Sequence, residues 1–331
     1  MQKTMEKKNE DVKLRKWQPD RPASAGATAY HDAVSNAPYY LESLEKLNSI
    51  VSKKVKEGEI VVDFGAGTGV SAMQLMKRLK SNVKVWLVDN SPAWLGKAYE
   101  IFNRNPNVEC YLLKKNDNKY ATLGETIGEQ IVDHVVSANT VHLIPNIEYT
   151  FKGINSALKP QGTFTFQSGN IMRSGRKKGV LMIDDTVKRV HDIAIEMIQT
   201  DKKYENYRKT VNERIKSEDI QRKFVFPDPR PLEYYINSLK TAYFKYTKSY
   251  NKLLRIKYQD WMNFLKVKRL QAGILPELGG ISPTPEEEKD RDELITMSAG
   301  KLFKELESQN PMSDSKSFTV ELVYVTARKQ I

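Results

Sequence analysis

Apolar positions along the first half of the chain follow two alternating periodicities. Short β-branched runs at 59–64 and 83–89 predict buried strands, and helical spacing at 39–55 and 71–79 predicts helices beside them. Further strands are predicted at 108–113, 133–138, 163–167, 243–256 and 317–327. Strands that alternate with crossover helices indicate an α/β fold with a doubly wound, mostly parallel, seven-stranded sheet.

Residues 170–312 break this rhythm, because they are mostly helical by pattern and rich in lysine and aromatic residues. Two insertions, near 170–228 and 258–312, are interpreted as a helical cap after strand five and before the last strand. A separate helical domain with its own partner is the alternative. The predicted organisation is a flexible N-terminal arm (1–28), a core (29–169), a cap region with part of the sheet (170–312) and a final core strand (313–331).

Composition narrows the class of protein. The chain has 53 basic and 41 acidic residues, a net charge of +12, and 40% apolar residues, which is enough for a core and excludes wholesale disorder. Its single cysteine, Cys110, and the absence of an apolar run of about 18 residues predict a soluble, cytoplasmic protein without a membrane span. Basic and acidic residues are interleaved, so a nucleic-acid partner is possible but not favoured. Isolated histidines predict no metal site.

A glycine-rich turn follows the first strand, in the segment Asp63-Phe64-Gly65-Ala66-Gly67-Thr68-Gly69. Glycines at such a turn let a ligand approach the backbone, and the following helix start favours negative charge. The loop is neither a dinucleotide fingerprint nor a phosphate loop, because Val70 and Ser71 follow the last glycine. Asp89 ends the next strand, where a carboxylate can accept hydrogen bonds from ribose hydroxyls.

These residues resemble motif I and the second-strand acid of class I S-adenosylmethionine-dependent methyltransferases. Residues 158–164 (LKPQGTF) and 139–143 (NTVHL) are similar to the superfamily's segments before strand five and after strand four. The resemblance covers residues 40–168 and the last strand. It implies a Rossmann-like fold, S-adenosylmethionine as cofactor and methyl transfer as the reaction.

The resemblance also implies roles for individual residues. Asp63 would lie near the methionine amino group, Asp89 would bind the ribose, and Asp117 would lie near the adenine amine. Asn90 and Ser91 would flank the adenine, and Asn139 would lie beneath the cofactor. The full implied cofactor set is Asp63, Gly65, Ala66, Gly67, Thr68, Gly69, Asp89, Asn90, Ser91, Asp117 and Asn139.

His142, just past strand four, is the candidate general base for an alcohol or phenol acceptor. A histidine that only packs or caps is the alternative. Tyr40, Trp261 and Arg269 are the candidate substrate-binding residues. The order of elements around 260–265 and the final strand is similar to that of trans-aconitate and malonyl-carrier-protein methyltransferases, which esterify carboxylates; Lys266, Lys268 and Arg269 could then bind a carboxylate.

The sequence thus predicts methyl transfer to a small organic molecule, at a hydroxyl or carboxylate oxygen. Motifs of DNA amino-methylating enzymes are missing, and Cys110 lacks the preceding proline typical of cytosine-C5 enzymes. Two alternatives stay open. The first is an RNA methyltransferase, suggested by the charge and the basic arm, and the second is a protein that binds S-adenosylmethionine without turnover. The sequence leaves the oligomeric state open.

Overall fold

A computed structural model describes residues 16–80, 82–117, 119–309 and 316–330. Seven strands form one sheet: β1 (Ile60–Phe64), β2 (Lys84–Asp89), β3 (Val108–Leu112), β4 (Val132–Ala138), β5 (Leu158–Ser168), β6 (Phe244–Lys257) and β7 (Ser317–Lys329). Their order is β3-β2-β1-β4-β5-β7-β6. Strands β1 to β5 run parallel to one another, and β7 lies antiparallel to both β5 and β6. The predicted doubly wound α/β fold is confirmed.

Twelve helices surround the sheet in the described part of the chain. They are α1 (Ala25–Ser35), α2 (Pro38–Ser52), α3 (Val70–Met76), α4 (Pro92–Phe102), α5 (Leu123–Ile127), α6 (Ile147–Ala157), α7 (Ile183–Thr200), α8 (Arg208–Val225), α9 (Leu232–Thr241), α10 (Tyr258–Leu265), α11 (Lys268–Ile274) and α12 (Pro285–Gln309). Short 3-10 turns span Val141–Leu143 and Lys202–Tyr207. Two short strand pairs join Lys115–Asn116 to Lys119–Tyr120 and Ile171–Met172 to Arg230–Pro231. No helix in these ranges is long and apolar enough to cross a membrane.

Both faces of the sheet are covered by apolar packing. Successive residues of a strand point to opposite faces, so Val61 and Val62 belong to different clusters. The cluster that contains Val61 also includes Leu44 of α2, Val190 of α7 and Leu294 of α12. The inserted helices therefore share one apolar core with the sheet, which supports a cap rather than a separate helical domain.

The N-terminal segment differs from the expected flexible arm. Residues 1–15 lie outside the described residues, as do 313–315 and 331 of the predicted final segment, but within 16–28 Trp17 packs against the core and Ala27 is buried. The Trp17 amide donates a hydrogen bond to the Cys110 carbonyl (2.7 Å) at the free edge of β3, and Lys16 pairs with Glu109 (2.7 Å). An edge strand leaves backbone groups unpaired, and this segment satisfies one of them. Helix α1 then begins at Ala25, where the Ser24 hydroxyl caps it.

Candidate cofactor and acceptor site

Three glycines of the loop after β1 have positive φ angles, +70° at Gly65, +54° at Gly67 and +82° at Gly69. A Cβ atom on Gly65 would lie 2.2 Å from Thr140 Cγ2, and one on Gly69 would lie 2.9 Å from Phe102 Cε2. These two glycines are therefore needed for close packing. At Gly67 the nearest atom, in the Trp94 ring, is 3.9 Å away. The second glycine thus leaves its backbone open to a ligand.

Asp89 faces this loop from the end of β2. Its Oδ2 atom accepts a hydrogen bond from the Gly67 amide and its Oδ1 atom accepts one from the Ser91 amide, both at 2.8 Å. Burial raises the pKa of Asp89, while these amides and the charge of Arg269 oppose the rise. The carboxylate is therefore held in one orientation beside the open backbone of Gly67. Asn90, the next residue, is exposed.

Asp63 is a buried acid next to the same loop. Its side chain is fully buried, and neither carboxylate oxygen has a hydrogen-bond partner among the described residues. Burial raises its pKa to about 7, although the nearby Ser71 hydroxyl and Ala72 amide lower it. A buried carboxylate without a partner is costly, and a cationic group would offset that cost. The Asp63 carboxylate, which has no partner in the described structure, fits the amino group of S-adenosylmethionine. The open backbone at Gly67 fits the methionine part of the same ligand.

Residues from three helices cover the loop, and the sequence motifs gave no sign of most of them. Trp94 of α4 contacts the Tyr30 ring of α1, with 4.4 Å between centroids, and Arg269 of α11 lies 4.7 Å above the Trp94 ring. The ring of His31 is hydrogen-bonded to the Thr68 hydroxyl (3.2 Å). We call Tyr30, His31, Trp94 and Arg269 the roof. Only Arg269 of this group was a sequence candidate, and it lies at the cofactor loop.

A second polar group gathers at the carboxyl ends of β4 and β5. Asn139, with a φ of +50°, follows β4, and its amide donates a hydrogen bond to the Gln167 carbonyl (3.0 Å). The Tyr40 hydroxyl lies beside the side chains of Asn139 and Tyr30, and burial raises the pKa of Tyr40. Tyr40 and Asn139 are thus brought together, and Tyr40 also lies near Asp63.

His142 lies in the 3-10 turn after β4. Its Nδ1 atom is 2.9 Å from the Ser168 hydroxyl, and Arg230 donates to its backbone carbonyl at 2.8 Å. Burial, with the charge of Arg230, lowers the pKa of His142 to about 3. An imidazole of such low basicity is poorly matched to general-base catalysis near neutral pH. The side chain is in the expected place, but its environment does not favour the predicted base role.

Two other candidates lie elsewhere. Trp261 is 1% exposed and stacks on Phe264 at 4.7 Å between centroids, so it packs inside the core that the cap shares with the sheet. Asp117 is exposed, with a φ of +53°, in the turn between the short strands Lys115–Asn116 and Lys119–Tyr120. Within the described ranges no hydrogen bond or ion pair joins Asp117 to the loop. The expected roles of these two residues gain no support from their positions.

Comparisons with known proteins identify the family of this chain. The sequence model of the family described as "Methyltransferase domain" matches residues 55–228. A candidate sarcosine dimethylglycine methyltransferase from Galdieria sulphuraria has a similar structure, with a TM-score of 0.50 and 14% identity over 93% of this chain and 99% of that one. A candidate methyltransferase from Bacillus halodurans gives 0.49 and 17% identity over 88% and 100% of the two chains. No curated protein matches the sequence.

Proposed function

Because this chain belongs to the methyltransferase domain family, we propose that it transfers a methyl group from S-adenosylmethionine to an oxygen atom of a small organic molecule. The chain is an S-adenosylmethionine-dependent enzyme of the class I superfamily. The cofactor, when bound, supplies a methyl group activated by a sulfonium sulfur. We further propose that the enzyme works in the cytoplasm.

The roof is the observation that carries the proposal of a small acceptor. Helices α1 and α11 place Tyr30, His31 and Arg269 over the glycine loop, and Thr68 of that loop is only 2% exposed. A cofactor loop covered in this way restricts the size of what can reach it. A small molecule satisfies that restriction more easily than a folded RNA.

The cofactor is proposed to lie across the carboxyl ends of β1, β2 and β4. Asp63 would hold its ammonium group, since the carboxylate is buried and lacks a partner in the described structure. Asp89 would accept hydrogen bonds from the ribose, and the Gly67 backbone would run beneath the ligand. This loop is shaped by Gly65, Ala66, Thr68 and Gly69. The adenine side stays assigned to Asn90 and Ser91.

Oxygen is favoured as the reacting atom because Tyr40 lies beside Asn139 and Asp63, and His142 lies in the 3-10 turn that follows Asn139. The hydroxyl, amide and imidazole of these residues can donate hydrogen bonds and so orient an acceptor oxygen. Methyl transfer is an in-line displacement, in which the protein contributes mainly by aligning the reacting atoms. We therefore assign these three side chains to acceptor alignment.

The test uses S-adenosylmethionine with a radiolabelled methyl group, incubated with the purified chain and separately with small-molecule and RNA fractions of a cell extract. We expect label in the small-molecule fraction and an equal amount of S-adenosylhomocysteine. Label in RNA alone would replace this proposal with the RNA methyltransferase alternative. The Asp89→Ala variant is the control for label transfer that does not depend on this site.

A further inference from the structure

We infer that Ser168 holds His142 in the tautomer that carries its proton on Nε2, so that His142 donates a hydrogen bond to an acceptor carboxylate. This inference deepens the proposed function and rests on it for the acceptor, whereas the tautomer itself rests on geometry alone. Ser168 is then a positioning residue, because it acts through the ring of His142.

The hydrogen bonds of Ser168 determine which way the proton points. The Asn170 amide donates to the Ser168 Oγ atom at 2.9 Å, and Oγ lies 2.9 Å from His142 Nδ1. Ser168 is fully buried, so its own hydroxyl proton needs an acceptor within the protein. Among the described residues, Nδ1 of His142 is the acceptor within reach of that proton. The Ser168 hydroxyl therefore donates to Nδ1, and a neutral imidazole must carry its hydrogen on Nε2.

Two nearby features keep the ring neutral. Arg230 donates hydrogen bonds to the carbonyls of His142 (2.8 Å) and Ile144 (2.9 Å), so its positive charge lies beside the turn that carries the ring. The side chain is half-buried, and burial disfavours an imidazolium. In the described structure Nε2 makes no hydrogen bond, so this N–H is left to a ligand.

Proton balance then selects the class of acceptor. When a hydroxyl is methylated, its proton must pass to a base, whereas a carboxylate needs none. A carboxylate oxygen forms the new C–O bond as the methyl–sulfur bond breaks, and the products are a neutral methyl ester and a neutral thioether. With Nδ1 accepting from Ser168 and Nε2 protonated, neither nitrogen of His142 can take up a proton.

The other titratable groups around the cofactor loop do not supply a base. Burial raises the pKa of both Tyr30 and Tyr40, which keeps their hydroxyls protonated. Asp89 is bound by two backbone amides, and Asp63 is reserved for the cofactor ammonium in the proposed function. His31 is hydrogen-bonded to Thr68 of the glycine loop. An acceptor that is already ionised is therefore the one this edge can serve.

The first experiment is nitrogen-15 NMR of the histidine-labelled full chain saturated with S-adenosylhomocysteine. The chain has four histidines, and the His142→Gln variant assigns the signals of His142. At pH 7 we expect a protonated Nε2 and an unprotonated Nδ1, and a mixture of tautomers in Ser168→Ala. Ser298→Ala removes an equally buried hydroxyl in α12 and should leave the His142 signals unchanged. A proton on Nδ1 in the wild-type protein would overturn the assignment.

The second experiment follows the product of the labelled methyl transfer described above. Alkali releases labelled methanol from a methyl ester but not from an ether or from N- or C-methyl groups. We expect release, and we expect His142→Gln, whose amide can replace the Nε2–H donor, to retain a rate within about tenfold of wild type. His142→Asn, whose shorter amide cannot, should fall further, by about 10–100-fold. Alkali-stable label would overturn the carboxylate assignment; failure of any transfer would refute the proposed function while the NMR result still decides the tautomer.

Discussion

The guanidinium carbon of Arg269 lies 4.7 Å from the centre of the Trp94 ring. Trp94 is also the nearest side chain to the open position at Gly67, and it contacts the Tyr30 ring at 4.4 Å between centroids. A helix of the cap, a helix of the core and the N-terminal helix therefore meet over one glycine. We therefore expect cofactor binding and the packing of the cap to depend on each other.

Replacing Arg269 with methionine should weaken the binding of S-adenosylhomocysteine by about 2–5-fold, because a cation–π contact of an exposed arginine contributes roughly 0.5–1 kcal/mol. Methionine keeps an apolar stem over Trp94 but removes the charge next to Asp89. Calorimetric titration measures the change. Lys268→Met is the matched control, since Lys268 is 73% exposed and pairs with Glu288 on the surface. Equal affinities of Arg269→Met and wild type would contradict the role of the roof.

Asp89→Asn should raise the dissociation constant of S-adenosylmethionine by about 10–100-fold, because hydrogen bonds to a charged group contribute about 1.5–3 kcal/mol. One end of the new amide would also face the Gly67 or the Ser91 amide as a second donor.

Titration of Asp117→Asn in parallel tests the adenine-side prediction for that residue. We expect little change there, because Asp117 is exposed in a turn. A large loss in Asp117→Asn would restore its predicted role.

Binding of S-adenosylmethionine should release a proton from Asp63. Burial raises the pKa of this carboxyl to about 7, so near pH 6.5 a large fraction is protonated in the free enzyme. A ligand ammonium beside it favours the charged form and displaces the proton. Calorimetry in buffers of different ionisation enthalpy counts that proton. 5′-Methylthioadenosine lacks the amino group and should release none, and Asp63→Asn should abolish the release; equal release with both ligands would exclude this contact.

The same carboxyl gives the stability of the free enzyme a pH dependence of defined sign. Its native pKa of about 7 lies above the ordinary aspartate pKa of 3.8, so between pH 4 and 7 the native state binds more protons than the unfolded state. The contribution of Asp63 to the free energy of unfolding therefore falls as pH rises through this window. In urea unfolding, Asp63→Asn should flatten that decline and be more stable than wild type above pH 7. An identical pH profile for the two proteins would show that Asp63 titrates normally.

Gly65→Ala should destabilise the protein by about 3 kcal/mol or more. The new Cβ would lie 2.2 Å from Thr140 Cγ2, in addition to the positive φ of +70°. Gly179→Ala separates the two effects, because Gly179 has a φ of +80° with no atom within 4 Å of the added Cβ. That control should cost only the left-handed strain of about 1–2 kcal/mol. Similar unfolding midpoints for the two variants would show that Thr140 moves aside easily.

Sequence patterns predicted a helix or strand well where that element buries a regularly spaced set, or a continuous run, of apolar residues. Strand β2 was predicted within one residue of its observed bounds, and the helix predicted at 39–55 is observed as α2 (Pro38–Ser52). Within the region predicted to be mostly helical, α10 and α11 are separated by a break at Lys266 and Val267. Neither glycine nor proline marks that break, so periodicity alone could not locate it. The methyltransferase fold and its cofactor were predicted from the glycine loop and Asp89, and both predictions are confirmed.

Contacts between distant segments were the part that the sequence could not predict. The roof joins α1, α4 and α11, and neither Tyr30 nor Trp94 belongs to a motif. The pairing of His142 with Ser168 depends on how the ends of β4 and β5 align in the sheet. Residues 16–28 looked like a polar arm because their packing depends on the free edge of β3, which no local pattern reveals. The roles of individual site residues and the identity of the methyl acceptor stay predictions.

The position of β7 has a consequence for how this protein is made. This strand fits between β5 and β6, with Phe164 opposite Ala327 on one side and Leu254 opposite Val320 on the other. It is the last of the seven strands to leave the ribosome. Until it is synthesised, the edges of β5 and β6 that pair with β7 in the finished sheet have no partner strand. Unpaired edges invite association between chains. The nascent chain should therefore depend on chaperones late in translation, even though the finished sheet buries both of those edges.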